Sequence, residues 1–226
     1  MSRQPIVICG ITRFAETIAH YFQTNSDFEV VGFTAHERFI TMGSFWDRPV
    51  VSIERLTAKF TPAGTRFFAA IEYKWLNAAR EQVIAELKAL GYQPASFIHP
   101  QASVCPTVKI GEHCFVMEGS VFSYRSVIGS NNVFSPRTLL AHRAQIGDHN
   151  YLSPGVSIDR DAIVGDHCYL GSGTYVAEAC KVGDWCYTRP MQEIFQAVPT
   201  GTTFNPTLRA PGRVVDRRVT LKTSQL

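Results

Sequence analysis

At 226 residues, with 45% hydrophobic and 18% charged side chains and with Gly and Pro held to 16 and 12, the chain has room for two modest cores and excludes a disordered or collagen-like protein. Its net charge of +3, with Lys and Arg dispersed except in the basic stretch 209–222, is too weak a bias for nucleic acid and suits an anionic small molecule. Apolar runs such as 6–9 and 67–71 fall far short of a membrane span, and residues 1–5 lead into the first of them without a signal segment, so a cytoplasmic protein with no membrane partner is expected.

Residues 1–94 alternate between strand and helix patterns. Ile6 to Cys9 reads as a buried strand ending at Gly10, and Thr12 is placed to cap a helix whose Phe14, Ile18 and Phe22 share one face. Residues 29–34 form a second strand, 66–71 a third, and 75–90 a helix stopped by Gly91. This order argues for a small parallel α/β domain, a Rossmann-like half domain. Phosphates bind where the first strand of such a domain turns into its first helix. That turn, Gly10-Ile11-Thr12-Arg13, has one glycine where a dinucleotide fingerprint has three, so NAD is not expected. Two readings stay open: a nucleotide half-site with Gly10, Thr12 and Arg13 at a phosphate and Thr34 and His36 at the same edge, or a tight turn with no ligand. Asn77 is a further pocket candidate, with an ordinary cap as its plainer role.

From residue 98 onward the pattern changes. Every sixth residue from Ile98 through Val104, Ile110 and Val116 to Val182 is apolar. Four residues after each stands a small or modest side chain, a column that includes Cys114, Ser120, Asn132, Asn150, Cys168 and Cys180. Gly recurs at 111, 129, 147, 165 and 183, spaced by 18. Three hexapeptides per turn make a triangular coil with one short strand per side, successive coils stacking at about 4.8 Å. A β-sandwich, whose strands alternate with period two, does not produce this run. The six cysteines include no C-x-x-C pair, and 114, 168, 180 and 186 fall in the small column, so they are read as reduced packing residues. The coil is expected over 95–190, and 191–226, with Pro199, Pro206 and Pro211, as a tail packed across the last coils.

A small α/β domain followed by about five coils of this pattern, joined through the Gly-Tyr…Ile-His-Pro-x-Ala-x-Val stretch ending at Val104, resembles the bacterial nucleotide-sugar acetyltransferases of bacillosamine and sialic acid pathways. The resemblance implies a left-handed parallel β-helix, a homotrimer with active sites between subunits, acetyl-CoA as acyl donor, a nucleotide-sugar acceptor, and a place in surface polysaccharide or glycan biosynthesis. In that family a His a few residues before an Ile-Gly-[Asp/Glu] step is the general base. Here the matching stretch, residues 139–148, points to His142, two places after an inward apolar position. An imidazole can take a proton at neutral pH.

The family has an acidic residue after the base and a second His further on; this chain has Arg143 and Tyr151, with His149 as a candidate substitute. An Arg close to His142 would disfavour its imidazolium. Arg160, Arg189 and Arg209 are candidate contacts to CoA phosphates, with Arg213 a further one in the same tail.

Two other functions compete. Some β-helix trimers are zinc lyases of the γ-carbonic anhydrase type. His113 and His149 are two coils apart, but a third His about five residues on is missing, since position 118 is Glu and 154 is Pro. His149 and His167 stack one coil apart with no third ligand visible in the sequence, so no metal is expected. The other alternative is a non-catalytic scaffold or nucleotide-sugar sensor, in which any exposed His is incidental.

Overall fold

The structure, a computed structural model, describes residues 3–204; Arg209 and Arg213 therefore lie outside the described residues. In chain order it begins with β1 (Gln4–Cys9), α1 (Arg13–Asn25), β2 (Phe28–Ala35), β3 (Ser44–Phe45), β4 (Arg48–Ser52), α2 (Leu56–Lys59), β5 (Arg66–Ala69), α3 (Ala78–Ala89) and β6 (Gln93–Pro94). Five of these strands are parallel in the order β4-β2-β1-β5-β6, and β3 adds antiparallel to the β4 edge. The chain leaves β1 toward β2 and later returns to its other side for β5, so the winding direction reverses between β1 and β5.

The continuous apolar run of β1 follows from burial on both sides. Ile6 and Ile8 pack with Ala15, Ile18 and Phe22 of α1, while Val7 and Cys9 pack with Val83, Ile84 and Leu87 of α3. Thr12 caps α1 as expected, its hydroxyl accepting from the Ala15 N–H at 3.3 Å. The helix expected over 75–90 starts three residues late, because Trp75, Leu76 and Asn77 are all left-handed, with φ of 51°, 48° and 70°.

Two-residue strands then recur every six residues from Phe97–Ile98 to Lys181–Val182 and build three parallel stacks. The first face carries Phe115–Val116, Val133–Phe134 and Tyr151–Leu152, the second Val121–Phe122 and Leu139–Leu140, the third Val127–Ile128 and Gln145–Ile146. Register steps by 18, Phe115 opposite Val133 and Val121 opposite Leu139. The architecture fits a left-handed β-helix. Every inward position from Val116 to Val182 is 3% exposed or less. Ile98, at the first end of the stack, is 43% exposed because no coil lies beyond it among the described residues.

The recurrent glycines answer close approach. A Cβ on Gly129 would lie 2.7 Å from the Gly147 carbonyl oxygen of the next coil. That proximity lets the Ser130 N–H reach Asp148 Oδ1 at 2.6 Å, and the pattern repeats from Asp148 to Asp166 and from Asp166 to Asp184. Inside, Asn132 Oδ1 accepts from the Asn150 N–H and Asn150 Oδ1 from the Cys168 N–H. The small column therefore also satisfies backbone groups that the narrow prism buries.

The tail expected from 191 is not separate from the coil at its start. Glu193–Ile194 pairs with Tyr175–Val176 at the same step of 18, and single bridges join Val182 to Val198 and Tyr187 to Thr203. The apolar run breaks at Thr188, which is buried in the inward column and hydrogen-bonds the Gly171 N–H and Thr174.

The first face is covered by the α/β domain. Phe97, Phe115, Val133 and Tyr151 share one core with Ile6, Phe22, Phe33 and Phe68. Polar contacts continue down the stack. The Ala69 N–H donates to His113 Nε2 at 2.9 Å, Arg80 donates to the carbonyls of Asn131 and Asn150, and Asn77 Nδ2 donates to the Cys168 carbonyl. No helix among the described residues is long and apolar enough to cross a membrane.

Candidate active site

His142 sits on the turn between the second and third faces, exposed, immediately before the left-handed Arg143. The turn is held by the coils around it: the Arg143 N–H donates to the Tyr124 carbonyl, and the His142 carbonyl accepts from Asp161. These bonds offset the roughly 1–2 kcal/mol that a non-glycine residue costs in the left-handed region. The imidazole is thus presented to solvent from a rigid backbone, an arrangement suited to a base that meets a partner from outside.

The guanidinium of Arg143 forms a two-point ion pair with Asp161 of the next coil, at 2.6 and 2.5 Å. Arg160 is engaged in the same way with Glu178, and Arg189 Nε approaches Gln192 Oε1 at 3.4 Å. The two arginine–carboxylate pairs are rungs between coils.

Tyr151 and His149 leave the prism elsewhere. His149 is at the corner between the third and first faces, and Tyr151 is on the first face, so within one chain neither joins His142. Tyr151 packs with Phe14 and Tyr73 and stacks with Tyr169, which in turn stacks with Tyr187. Burial pushes the Tyr151 phenol up from its ordinary value, and Tyr169 does most to raise that of Tyr73. This aromatic wall was not anticipated, although Tyr151, Tyr169 and Tyr187 recur at 18, one place before the inward column.

Phe14 connects the wall to the turn after β1. Gly10, at φ 133°, donates its N–H to the Thr34 carbonyl, and a Cβ there would lie 2.7 Å from the Ala70 carbonyl oxygen, so the turn is tight for packing reasons. Thr12 and Arg13 are exposed beside it at the helix N-terminus, the side-chain oxygen of Thr12 being used for the cap. Thr34 departs from expectation: it is fully buried, its hydroxyl has no hydrogen-bond partner among the described residues, and it offers no open contact to a ligand. His36 is also committed, lying 3.5 Å from Glu54 and 3.1 Å from Glu86. Gly10, Thr12 and Arg13 share one turn, Thr34 is closed off beneath it, and His36 faces Glu54 and Glu86.

Three residues on or before α3 organise the junction. Arg80 is entirely buried with no carboxylate paired to it among the described residues; it donates to the Ile71 carbonyl, Asn77 Oδ1 and the carbonyls of Asn131 and Asn150. Burial lowers its pKa to about 10, which leaves it charged at neutral pH. Asn77 is buried in the cap position of α3. Glu81 lies 3.6 Å from His149 Nε2 and 3.5 Å from His167 Nε2, which supplies the third metal-competent group that the sequence did not reveal. Burial lowers the pKa of His149. His113 is held well below the usual histidine range, by burial first and then by Arg80.

No protein-family model matches the sequence, and a search of curated proteins finds no relative. Solved structures do match. The acetyltransferase domain of PglB from Neisseria gonorrhoeae, solved with acetyl coenzyme A, aligns with a TM-score of 0.79 at 21% identity over 89% of this chain and 95% of that one. PerB from Caulobacter crescentus, in complex with CoA and GDP-perosamine, aligns with a TM-score of 0.75 at 21% identity, covering 88% and 92%. WeeI from Acinetobacter baumannii aligns with a TM-score of 0.64 at 19% identity, covering 88% and 94%. The resemblance read from the hexapeptide pattern thus holds at the level of structure: over most of its length the chain has the fold of these acetyltransferases.

Proposed function

We propose that the protein transfers an acetyl group from acetyl-CoA to an amino group of a nucleotide-linked sugar, with His142 as general base. The observation that carries this reading is His142 itself, exposed on a rigid corner of a β-helix whose fold is that of acetyltransferases solved with acetyl-CoA and with CoA and GDP-perosamine. The imidazole takes a proton from the sugar nitrogen as that nitrogen attacks the thioester carbonyl. The carbon–sulfur bond then breaks, the amide forms, and the departing CoA thiolate takes the proton back from the imidazolium. A backbone N–H of a neighbouring coil stabilises the oxyanion. No cysteine is required, and the pairing of Arg143 with Asp161 leaves His142 to act without an adjacent unbalanced cation.

The Rossmann-like sheet provides the nucleotide end. Gly10, Thr12 and Arg13 lie where the winding reverses between β1 and β5, the usual ligand crevice of an open α/β sheet. Phe14, Tyr73 and Tyr151 wall the same region with rings on which a base or sugar can stack. His142 lies on another edge of its own chain, and Val121, Val127 and Leu139 are exposed on the second and third faces. A homotrimer that covers those faces would bring His142 to a neighbour's first face and complete the site between subunits. Arg189, and Arg209 beyond the described residues, remain the candidates for CoA phosphates; Arg160 is occupied by Glu178.

The test is thiol release from acetyl-CoA against a panel of UDP-, GDP- and dTDP-linked amino sugars, with mass analysis of products. An acetylated nucleotide sugar supports the reading. No thiol release with any amino or hydroxyl acceptor, from a protein shown to bind one of these nucleotides, overturns it in favour of a sensor.

A further inference from the structure

We propose that Glu72 receives the ammonium group of the acceptor and that the Tyr73 ring lies beside that group, so that the site selects an amino sugar over the hydroxyl sugar of the same shape. The inference deepens the acetyl-transfer reading and rests on it for the class of ligand that enters.

Glu72 stands where the chain leaves β5, and the packing of that segment fixes the side it faces. Phe68 and Ala70 belong to the core shared with α1, Phe14 and Tyr151, whereas Phe67, Ala69 and Ile71 pack on the α3 side. The alternation puts Glu72 on the side of α1 and the first face of the coil. The turn after β1 lies against the same exit, since a Cβ on Gly10 would come 2.7 Å from the Ala70 carbonyl oxygen. The charge of Glu72 also reaches the aromatic wall. The Tyr151 phenol is raised by burial and then by Glu72, and that of Tyr73 by Tyr169, burial and Glu72 in turn.

Tyr73 is 41% exposed although its ring packs on two others, with centroids 4.3 Å from Tyr169 and 5.4 Å from Tyr151. The backbone beyond it is held in an unusual form, with Trp75, Leu76 and Asn77 all left-handed and none of them glycine. Arg80 anchors the chain on both sides of Glu72 and Tyr73, at the Ile71 carbonyl and at Asn77 Oδ1, while Asn77 Nδ2 donates to the Cys168 carbonyl. Strain over-determined in this way clusters at ligand sites.

Nothing cancels the Glu72 carboxylate. Lys74 turns to Trp75, its Nζ 4.7 Å from the ring centroid, and Arg80 directs its donors to carbonyls and an amide. Among the described residues Glu72 forms no ion pair. A carboxylate without a counter-charge, with an exposed aromatic ring next to it, suits an organic cation. A nucleotide-linked amino sugar has the matching polarity: its diphosphate suits the N-terminus of α1 with Arg13, and its ammonium suits Glu72. A hydroxyl in place of the ammonium leaves Glu72 unpaired. Acetylation does the same, so the neutral amide product is released more readily than the substrate.

Binding is measured by calorimetry at neutral pH, without acetyl-CoA, for UDP-, GDP- and dTDP-linked amino hexoses, each beside its counterpart with a hydroxyl at the same carbon and beside its N-acetylated derivative. At least one amino sugar should bind about tenfold or more tighter than both neutral forms. Glu72→Gln should bring the three forms to within about threefold of one another. Its unfolding midpoint should not change, since the side chain is exposed. Tyr73→Leu should weaken the amino sugar about threefold or more, and Tyr73→Phe should bind it as the unaltered protein does. Glu112→Gln, whose carboxylate pairs with Lys88, should also leave binding unaltered. The inference fails if no amino sugar is preferred, or if Glu72→Gln keeps the preference. Thiol release from acetyl-CoA, followed in parallel, reports separately on acyl transfer. A Glu72-dependent preference in a protein that releases no thiol overturns the transfer reading alone; thiol release with a preference indifferent to Glu72 overturns this inference alone.

Discussion

The β-helix applies one six-residue solution repeatedly, whereas the α/β domain makes each of its decisive contacts once. In the coil, Gly129, Gly147 and Gly165 solve the same close approach, and Asp148, Asp166 and Asp184 accept equivalent N–H groups. On the other side of the junction there is one Arg80, one Asn77 and one Glu81, each reaching the coil through a side chain that does not recur at any period. Repetition spreads stability over many weak rungs; singular contacts concentrate it.

The sharpest separation concerns activity against stability. His142→Ala is expected to lower kcat by about 10²- to 10⁴-fold, the usual contribution of a general base. Its unfolding midpoint should stay unchanged, because the side chain is exposed and its turn is held by backbone bonds. A matching loss of stability would make His142 structural.

Leu152→Ala probes the repeated core. Leu152 is fully buried between Phe134 and Leu170, so the substitution should cost about 2–5 kcal/mol in chemical denaturation. Arg80→Met probes the singular junction. It removes a desolvated charge but takes the donor away from the Ile71 and Asn131 carbonyls, while the Asn150 carbonyl keeps the Val133 N–H, for a net loss of about 1–3 kcal/mol. If it stabilises the protein instead, Arg80 serves something other than holding the domains together.

Thr12→Ala should cost about 1 kcal/mol through the lost cap of α1, measured in the same way. Arg143→Ala should leave the midpoint unchanged within error, because its pair with Asp161 is exposed and one among many rungs. A clear destabilisation would show that surface rungs, as well as buried columns, carry the coil.

The same contrast explains what the sequence made legible. The inward column from Val116 to Val182, the small column and the glycines at 18 repeat often enough to stand out from composition. The continuation to Ile194 escaped notice because a single buried Thr188 interrupts the apolar run while the step of 18 persists. In the α/β domain, β1 and the Thr12 cap were readable from local chemistry. The left-handed residues 75–77 were not, since a helical pattern extends through Trp75 without revealing that the backbone turns the other way.

Within the site, His142 was reached through the resemblance, and its separation from His149 and Tyr151 follows from which faces the coil assigns them. Thr34 was misplaced because a strand end can be either an open edge or an interior position, depending on what pairs beyond it. Here it lies between β1 and β4. Glu81 could not be found from spacing, because its partners are joined to it by the docking of one domain on the other and by no periodicity.

That docking has a mechanical consequence. A bare solenoid comes apart coil by coil from its ends, since each repeat touches little beyond its neighbours. Here the α/β domain reaches along the stack, meeting His113, Asn131, Asn150, His167 and Cys168 in turn. Fraying across those coils would break contacts to the domain as well as to the next rung, which couples what would otherwise be a gradual unzipping into a single cooperative transition.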